Sequence, residues 1–174
     1  YQYLEQTIKA NAVGNVQAFQ IAASDSPATL PLFISKDNRG DNRLYAPAEK
    51  RPQIEVEARP IDELLSENNI NTVDLIKIDV QGYEPKVIAG LEKTINQSPN
   101  LTILMEFWPK GIAEAGGDAK KFLDDLRKLG LTLFELKSEG DLRKLTDDLD
   151  LISRHRGRKY TNLVGRKEDH LPQS

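Results

Sequence analysis

The sequence predicts an α/β protein with a parallel sheet, and three observations point to this class. Residues 72–79 are rich in Val and Ile, with the loose apolar alternation of a buried strand. Asp79 and Gly82 then interrupt the pattern. The segment that follows carries an apolar stripe at helical spacing, namely Val87, Ile88, Leu91 and Ile95. Ligands of such sheets bind outside the carboxyl ends of the strands, so we expect a site near residues 79–84.

Length and composition limit the number of domains, the partners and the location that we expect. The chain has 174 residues, of which 29% are charged and 39% hydrophobic, as in an ordinary soluble globular protein. The net charge of −3 gives no reason to expect a nucleic-acid surface, and no apolar run approaches the roughly 20 residues of a membrane span. Cysteine is absent, which excludes disulfides and suits a cytoplasmic location. We expect one domain over residues 1–174, with neither nucleic acid nor membrane as a partner.

The amino-terminal part is predicted to be a helix followed by short strands. Residues 1–13 carry Leu4 and Ile8 at helical spacing, and Gly14 supplies a stop signal. Because the chain begins inside this helix without a cap, we expect a fragment of a larger domain. Strands are expected at residues 16–23, 28–34 and 54–58.

Two of these strands are expected at sheet edges. Pro31 lacks an amide hydrogen, so the strand at residues 28–34 should lie at an edge, and we expect the same of residues 54–58. The segment 36–52 between them is long, polar and irregular, as functional or mobile loops often are. A short helix is predicted to start near Pro60.

The carboxyl-terminal part continues the alternation of strands and helices. Residues 101–108 form a nearly continuous apolar run, typical of a buried parallel strand. We expect Asp118 to cap a helix over residues 119–129 and Gly130 to close it. The remaining expectations are a loop at 111–117, an antiparallel strand pair at 131–136 and 161–166, a charged segment at 137–159 between them, and a flexible tail at 167–174.

The central run, residues 74–84 (DLIKIDVQGYE) followed by 87–90 (VIAG), resembles the signature of FkbM-type S-adenosylmethionine-dependent methyltransferases. Other blocks are similar to parts of this family and fall in the same order, at residues 22–25, 38–45, 105–109 and 160–164. The resemblance covers nearly all of the chain.

The resemblance implies a Rossmann-like class I methyltransferase sheet with strand order 3-2-1-4-5-7-6. The first two strands and the glycine-rich turn that holds the cofactor have no counterpart here, so we expect a partial sheet. The gap would lie between the strands at residues 16–23 and 72–79. A second copy of the chain could fill this gap, which would make a homo-oligomer. Alternatively, the strands join in a different order, or the fold is only partly stable.

Two carboxylates are the leading catalytic candidates. Asp79 and Glu106 end neighbouring strands, so their side chains should face each other across roughly 5 Å. Either could be a general base, and the pair could also bind a divalent cation such as Mg²⁺ that orients a hydroxyl acceptor. The alternative is that one caps a helix and the other pairs with a Lys or Arg. Glu84 is a third catalytic candidate, although the helix macrodipole also favours an acid there.

Further site residues follow from the resemblance and from side-chain chemistry. The residues expected to contact S-adenosylmethionine are Ser24, Asp25, Asp79, Gln81, Gly82 and Tyr83. For these, an Asx turn, a tight backbone turn and simple packing are the competing explanations. Arg43, Trp108 and His155 are candidate acceptor contacts, together with Arg39. Loop solubility, packing and a solvated basic run explain the same residues without a site.

The sequence therefore favours S-adenosylmethionine-dependent O-methylation of a hydroxyl on a carbohydrate or natural product, with the activity of this chain by itself left open. The alternative is a non-enzymatic α/β remnant that associates with itself or with a partner through exposed strand edges. A third interpretation is another nucleotide-binding α/β protein.

Overall fold

The computed structural model describes residues 1–38, 40–138 and 140–167. Seven helices and eight strands occur in these ranges. The helices are α1 (Gln2–Ala10), α2 (Ile61–Glu67), α3 (Glu84–Ala89), α4 (Glu92–Gln97), α5 (Pro109–Glu114), α6 (Ala119–Lys128) and α7 (Asp148–Arg154). The strands are β1 (Ala22–Ala23), β2 (Ala28–Phe33), β3 (Gln53–Arg59), β4 (Leu75–Ile78), β5 (Thr102–Phe107), β6 (Leu131–Leu136), β7 (Leu142–Lys144) and β8 (Thr161–Lys167).

The strands form two sheets, which makes the fold α/β with both parallel and antiparallel pairs. The larger sheet has the order β4-β5-β8-β6-β7, with β4 parallel to β5 and β8 antiparallel to both of its neighbours. The smaller sheet has the order β1-β3-β2, with β1 parallel and β2 antiparallel to β3. The stretch β4-β5-β8-β6 reproduces the 4-5-7-6 half of the expected order, and β1 lies in a different sheet from β4.

The position of β4 agrees with the gap that the resemblance implied beside this strand, although the Val- and Ile-rich pattern predicted a buried strand. Strand β4 is an edge strand that pairs only with β5 in the described sheets. Leu75, on the face opposite Ile78, is 67% exposed, whereas Ile78, which faces the core, is buried. An apolar pattern indicates that one face of a strand is buried. It does not indicate whether a neighbouring strand is present.

Several predicted elements in the amino-terminal part have different bounds or neighbours. Helix α1 ends at Ala10 rather than residue 13, and Leu4 on its apolar face is 53% exposed. Residues 16–21 are not a strand, so of the strand predicted at residues 16–23 only Ala22–Ala23 pair with β3. Strand β3 is central rather than at an edge, while β2, which contains Pro31, does lie at an edge as predicted.

The carboxyl-terminal part contains three elements that the sequence did not reveal. Helix α5 occupies most of the predicted loop at 111–117, and β7 and α7 lie within the charged segment. The cap of α6 was predicted correctly, since the Asp118 carboxylate accepts a hydrogen bond of 2.7 Å from the Lys121 amide. Lys167 belongs to β8 rather than to a tail. The rest of the predicted tail, residues 168–174, lies outside the described residues.

Helices α3 and α4 join the two sheets. The predicted stripe of Val87, Ile88, Leu91 and Ile95 is buried, although the helix breaks at Gly90 and Leu91. A side chain at Gly90 would overlap the carbonyl oxygen of Ser24, so the smaller sheet rests directly on this break. Asp62 of α2 reinforces the junction by accepting hydrogen bonds of 2.9 Å from the amides of Lys93 and Thr94.

Gly82 has no room for a side chain. Its φ is +103°, in the region that side-chain-bearing residues rarely adopt, and a Cβ would overlap the backbone of Gly111 in α5. We predict that Gly82→Ala lowers the free energy of unfolding by about 3 kcal/mol or more, because backbone strain and overpacking add together. Urea denaturation would measure the loss.

Gly116→Ala is the matched control for this substitution. Gly116 has a comparable φ of +84°, but a Cβ at this position would meet no atom within 4 Å. The variant should lose only about 1–2 kcal/mol, the cost of the left-handed conformation alone. Equal losses in the two variants would show that the contact with Gly111 adds nothing.

Candidate active site

The turn between β4 and α3 arranges the residues at the carboxyl end of β4. Gln81 adopts a φ of +56° and Gly82 follows at +103°, which reverses the chain within a few residues. The Glu84 carboxylate oxygen Oε1 accepts hydrogen bonds of 3.2 Å from the amides of Val80 and Gly82. Glu84 therefore closes the turn from within.

Glu84 is fully buried, and its second oxygen, Oε2, has no hydrogen-bond partner within the described residues. Burial raises the pKa of Glu84, although the hydrogen bonds from its own amide and from those of Gly82 and Val80 act against the rise. Its location inside the turn separates it from the two acids at the strand ends.

Asp79 and Glu106 come together as the sequence predicted. The register pairs Ile78 with Met105, so the residue that follows each of them lies at the same edge of the sheet. The Gln81 amide nitrogen joins the two acids, donating to Asp79 Oδ1 at 3.0 Å and to Glu106 Oε2 at 3.2 Å. Lys77 also contacts Asp79, with 3.1 Å between Nζ and Oδ2.

Glu106 has the properties of an acid–base group. Burial, followed by the negative charges of Asp79 and Glu84, raises the pKa of Glu106 from 4.5 to about 7. A carboxyl with this pKa exchanges its proton near neutral pH, which is the range in which general bases operate most effectively.

Glu106 and Gln81 lie in the wall of a cleft of about 760 Å³. The cleft is walled by the loop at residues 35–51, the carboxyl end of β5 with α5, and the segment that precedes β8. Its other lining residues are Ser35, Asp37, Asn38, Asp41, Arg43, Ala48, Glu49, Arg51, Trp108, Lys110, Glu114, Arg158 and Tyr160. Both signs of charge line this cleft, so it suits a polar ligand.

Two of the four predicted acceptor residues, Arg43 and Trp108, lie in this cleft. The Arg43 guanidinium lies 4.8 Å from the centre of the Trp108 ring and pairs with Asp41 at 2.7 Å and with Glu114 at 3.2 Å. The Trp108 indole nitrogen donates to the Gly157 carbonyl at 2.8 Å. These contacts hold both side chains in the wall. Arg39 lies outside the described residues.

The predicted cofactor residues Ser24, Asp25 and Tyr83 form a separate cluster at the end of β1. The Ser24 hydroxyl lies 3.2 Å from Asp25 Oδ1 and 3.4 Å from the Tyr83 hydroxyl. Lys86 pairs with Asp25 at 2.5 Å. Burial acts to raise the pKa of Asp25, but the Lys86 contact outweighs it and the pKa is lowered. None of the four residues lines the cleft.

His155 lies elsewhere, at the end of α7. Its Nδ1 is 2.8 Å from the Leu151 carbonyl oxygen, and its Nε2 is 3.9 Å from Glu135. The neighbouring charge that reaches the ring is thus a carboxylate, contrary to the basic surroundings that the sequence suggested. Burial would raise the pKa of Glu135, but Arg154 and Lys137 lower it to about 2. His155 is not among the cleft residues.

The predicted metal site gains no support from the side chains around Asp79 and Glu106. Within the described ranges, no group of three or more His, Cys, Asp or Glu residues converges on a point where a metal ion would be held. Lys77 and the Gln81 amide instead occupy oxygens of the acid pair. The two carboxylates are therefore arranged for hydrogen bonding.

Many residues that line the cleft or contact the turn were not predicted from the sequence, and four of them are the most informative. Tyr160, Arg158 and Lys110 line the cleft, and Tyr45 donates a hydrogen bond of 2.7 Å to the Gln81 carbonyl. A signal for Tyr160 was available, because it directly precedes a strand expected beside the one that carries Glu106. Strand β8 is antiparallel to β5, so the start of one lies at the end of the other.

A comparison with known protein families shows to which family this chain belongs. The family model described as the methyltransferase FkbM domain matches residues 1–136, well over half of the chain. The chain belongs to the FkbM methyltransferase family. No curated protein and no solved structure matches it. The match includes the turn between β4 and α3, which is the signature turn (residues 79–84), and both Asp79 and Glu106. It ends before Arg158 and Tyr160.

The helices of this FkbM-family chain are short. None of those in the described ranges is long and apolar enough to cross a membrane.

The raised pKa of Glu106 has a consequence for stability. Because the pKa in the folded FkbM-family chain is about 7 against an ordinary 4.5, the proton stabilises the fold fully below pH 4.5. That contribution is lost as the pH rises through 7. We predict that the wild-type chain loses stability relative to Glu106→Gln over this interval, as urea denaturation at several pH values would measure.

Glu55→Gln is the control for this measurement. Glu55 lies exposed on β3, so the substitution makes the same change of charge away from the cleft. Its stability should follow that of the wild type with pH. A constant difference between wild type and Glu106→Gln from pH 4.5 to 7 would contradict the assignment.

Proposed function

We propose that this chain carries the acceptor side of an S-adenosylmethionine-dependent O-methyltransferase. The acceptor would be a hydroxyl group of a carbohydrate or natural product. The observation that supports this proposal best is Glu106, a half-buried carboxyl in the wall of a polar cleft, with a pKa of about 7. Membership of the FkbM family supplies the reaction class.

In this proposal Glu106 is the general base. When bound, S-adenosylmethionine would supply an electrophilic methyl group whose bond to sulfur breaks, with S-adenosylhomocysteine as the leaving group. The acceptor hydroxyl must lose a proton as its oxygen is methylated. Ionised Glu106 accepts that proton on a carboxylate oxygen. Gln81 orients this carboxylate through its hydrogen bond of 3.2 Å, and the charge of Asp79 increases its affinity for the proton.

The cofactor would be held at the carboxyl ends of β1 and β4. Asp79, Gln81, Gly82 and Tyr83 lie on the signature turn, and Ser24 with Asp25 lies at the end of β1. Their hydroxyl, amide and carboxylate groups suit the ribose and adenine of S-adenosylmethionine. The strand order β4-β5-β8-β6 supports a Rossmann-like sheet of the class I methyltransferase type as part of the proposal.

The chemistry of the cleft supports a hydroxyl-rich acceptor. Asp37, Glu106 and Arg158 line it with hydrogen-bonding groups, and Tyr160, which is 60% exposed, offers an aromatic face. Aromatic faces stack on the apolar side of a sugar ring while the polar groups bind its hydroxyls. The proposal includes a cytoplasmic location, with which a chain that lacks cysteine is consistent.

A radiolabel assay tests the proposal. The chain would be incubated with methyl-tritiated S-adenosylmethionine and a panel of glycosides, sugar acids and polyols, and label in the acceptor would be counted. We predict transfer to at least one hydroxylated acceptor, and a rate at least about 100-fold lower for Glu106→Gln, because general bases contribute 10²–10⁴-fold.

Glu55→Gln again serves as the matched control and should keep the wild-type rate. Undiminished transfer by Glu106→Gln would overturn the role of Glu106 as the base. Calorimetric titration with S-adenosylmethionine would separate failure to bind the cofactor from failure to act on the panel.

The open edge of β4 favours self-association as a second candidate function. On its outer side this strand has no partner within the described sheets, and Leu75 there is 67% exposed. An edge of this kind pairs readily with another strand, so we propose a homo-oligomer that forms through β4. Sedimentation equilibrium should then show a dimer that Leu75→Lys weakens about 10-fold or more. Monomers at all concentrations in the wild type would exclude this second function.

A further inference from the structure

Tyr45 connects the long loop after β2 to the signature turn. Its side chain is 9% exposed and belongs to the hydrophobic core, yet its hydroxyl donates a hydrogen bond of 2.7 Å to the backbone carbonyl of Gln81. Burial raises the pKa of Tyr45 to about 12, so the hydroxyl keeps its proton and remains a donor at neutral pH.

Glu84 holds the same turn from the other direction. Its Oε1 accepts from the amides of Val80 and Gly82, the residues on either side of Gln81. The backbone around Gln81 is thus fixed by three hydrogen bonds, one from Tyr45 and two to Glu84.

Gln81 requires such support because its conformation is unfavourable. A φ of +56° is uncommon for a residue with a side chain, and strain of this kind persists only where the surroundings determine the conformation. With the backbone held in this way, the Gln81 amide nitrogen reaches both Asp79 Oδ1, at 3.0 Å, and Glu106 Oε2, at 3.2 Å.

We propose that Tyr45 is a positioning residue: together with Glu84 it clamps the Gln81 backbone so that the Gln81 amide joins the carboxylates of Asp79 and Glu106. This assignment rests on the proposed function for the reaction that the acid pair serves. It gives Glu84 a place in the clamp instead of a part in catalysis, because its carboxylate contacts the turn and does not line the cleft.

The clamp also joins two walls of the cleft. Arg43, two residues before Tyr45, lies 5.7 Å from the Tyr45 ring and 4.8 Å from that of Trp108. The loop that carries Asp41 and Arg43 is therefore coupled to the acid pair through Tyr45 and Gln81. A displacement of the loop would be transmitted to the hydrogen bonds of Glu106.

Tyr45→Phe separates the clamp from simple packing, since it removes the hydroxyl and keeps the ring. With ¹³C-labelled glutamate, NMR gives the titration midpoint of Glu106 without any need for turnover. We predict an upward shift of about half to one pH unit in Tyr45→Phe, because a less well-oriented Gln81 stabilises the charged carboxylate less. Gln81→Ala should shift the midpoint at least as far.

The double variant provides the decisive comparison. Because Tyr45 acts through Gln81, adding Tyr45→Phe to Gln81→Ala should produce no further shift. Tyr160→Phe, which removes a hydroxyl from the same cleft without a contact to Gln81, should leave the midpoint unchanged.

Two outcomes would overturn the clamp. The first is an unchanged Glu106 midpoint in Tyr45→Phe. The second is that Tyr45→Phe shifts this midpoint equally in the wild type and in Gln81→Ala. Neither depends on methyl transfer, so the clamp can fail while Glu106 remains the base. Conversely, undiminished turnover by Glu106→Gln would overturn the proposed base and leave the clamp intact.

Discussion

The close approach between Gly82 and Gly111 is the contact on which the arrangement of the site depends. The turn after β4 fits against the backbone of Gly111 in α5 only because Gly82 carries no side chain. This contact brings the strand ends of β4 and β5, the turn and the wall at Trp108 into one small region. A side chain at Gly111 would also overlap the Trp108 ring, so both glycines are required by space, and Gly82 by its conformation as well.

Burial and hydrogen bonding divide the acids near the turn into distinct roles. Glu84 is sealed inside the turn, while Asp79 remains half exposed beside Lys77. Glu106 lies between these extremes, and for that reason its pKa of about 7 differs so much from that of an exposed carboxyl. Three acids that are close in space thus differ in their environments, because each meets a different mixture of water, amides and charge.

The sequence predicted the centre of the fold well and its margins less well. The meeting of Asp79 and Glu106 followed from the simple rule that parallel strands end at a common edge, and the α6 cap followed from Asp118. The edge position of β4 followed from the resemblance, which left a gap beside this strand, and not from the apolar pattern, because an apolar strand looks the same whether or not its neighbour is present. Tyr45 was also beyond reach: its partner is a backbone carbonyl 36 residues away, and a backbone contact leaves no trace in side-chain pattern.

The two groups of residues around the cleft differ in how freely they can change during evolution. The strand ends that carry the acids are fixed by sheet register, and the turn by the contact of Gly82 with Gly111, so a side chain at Gly82 disturbs the fold itself. Much of the opposite wall comes from the loop at residues 35–51 and from the segment before β8, where Arg158 and Tyr160 are not part of any strand. Under the proposed function, related chains could therefore acquire a new acceptor preference by altering these segments while inheriting the same acid pair.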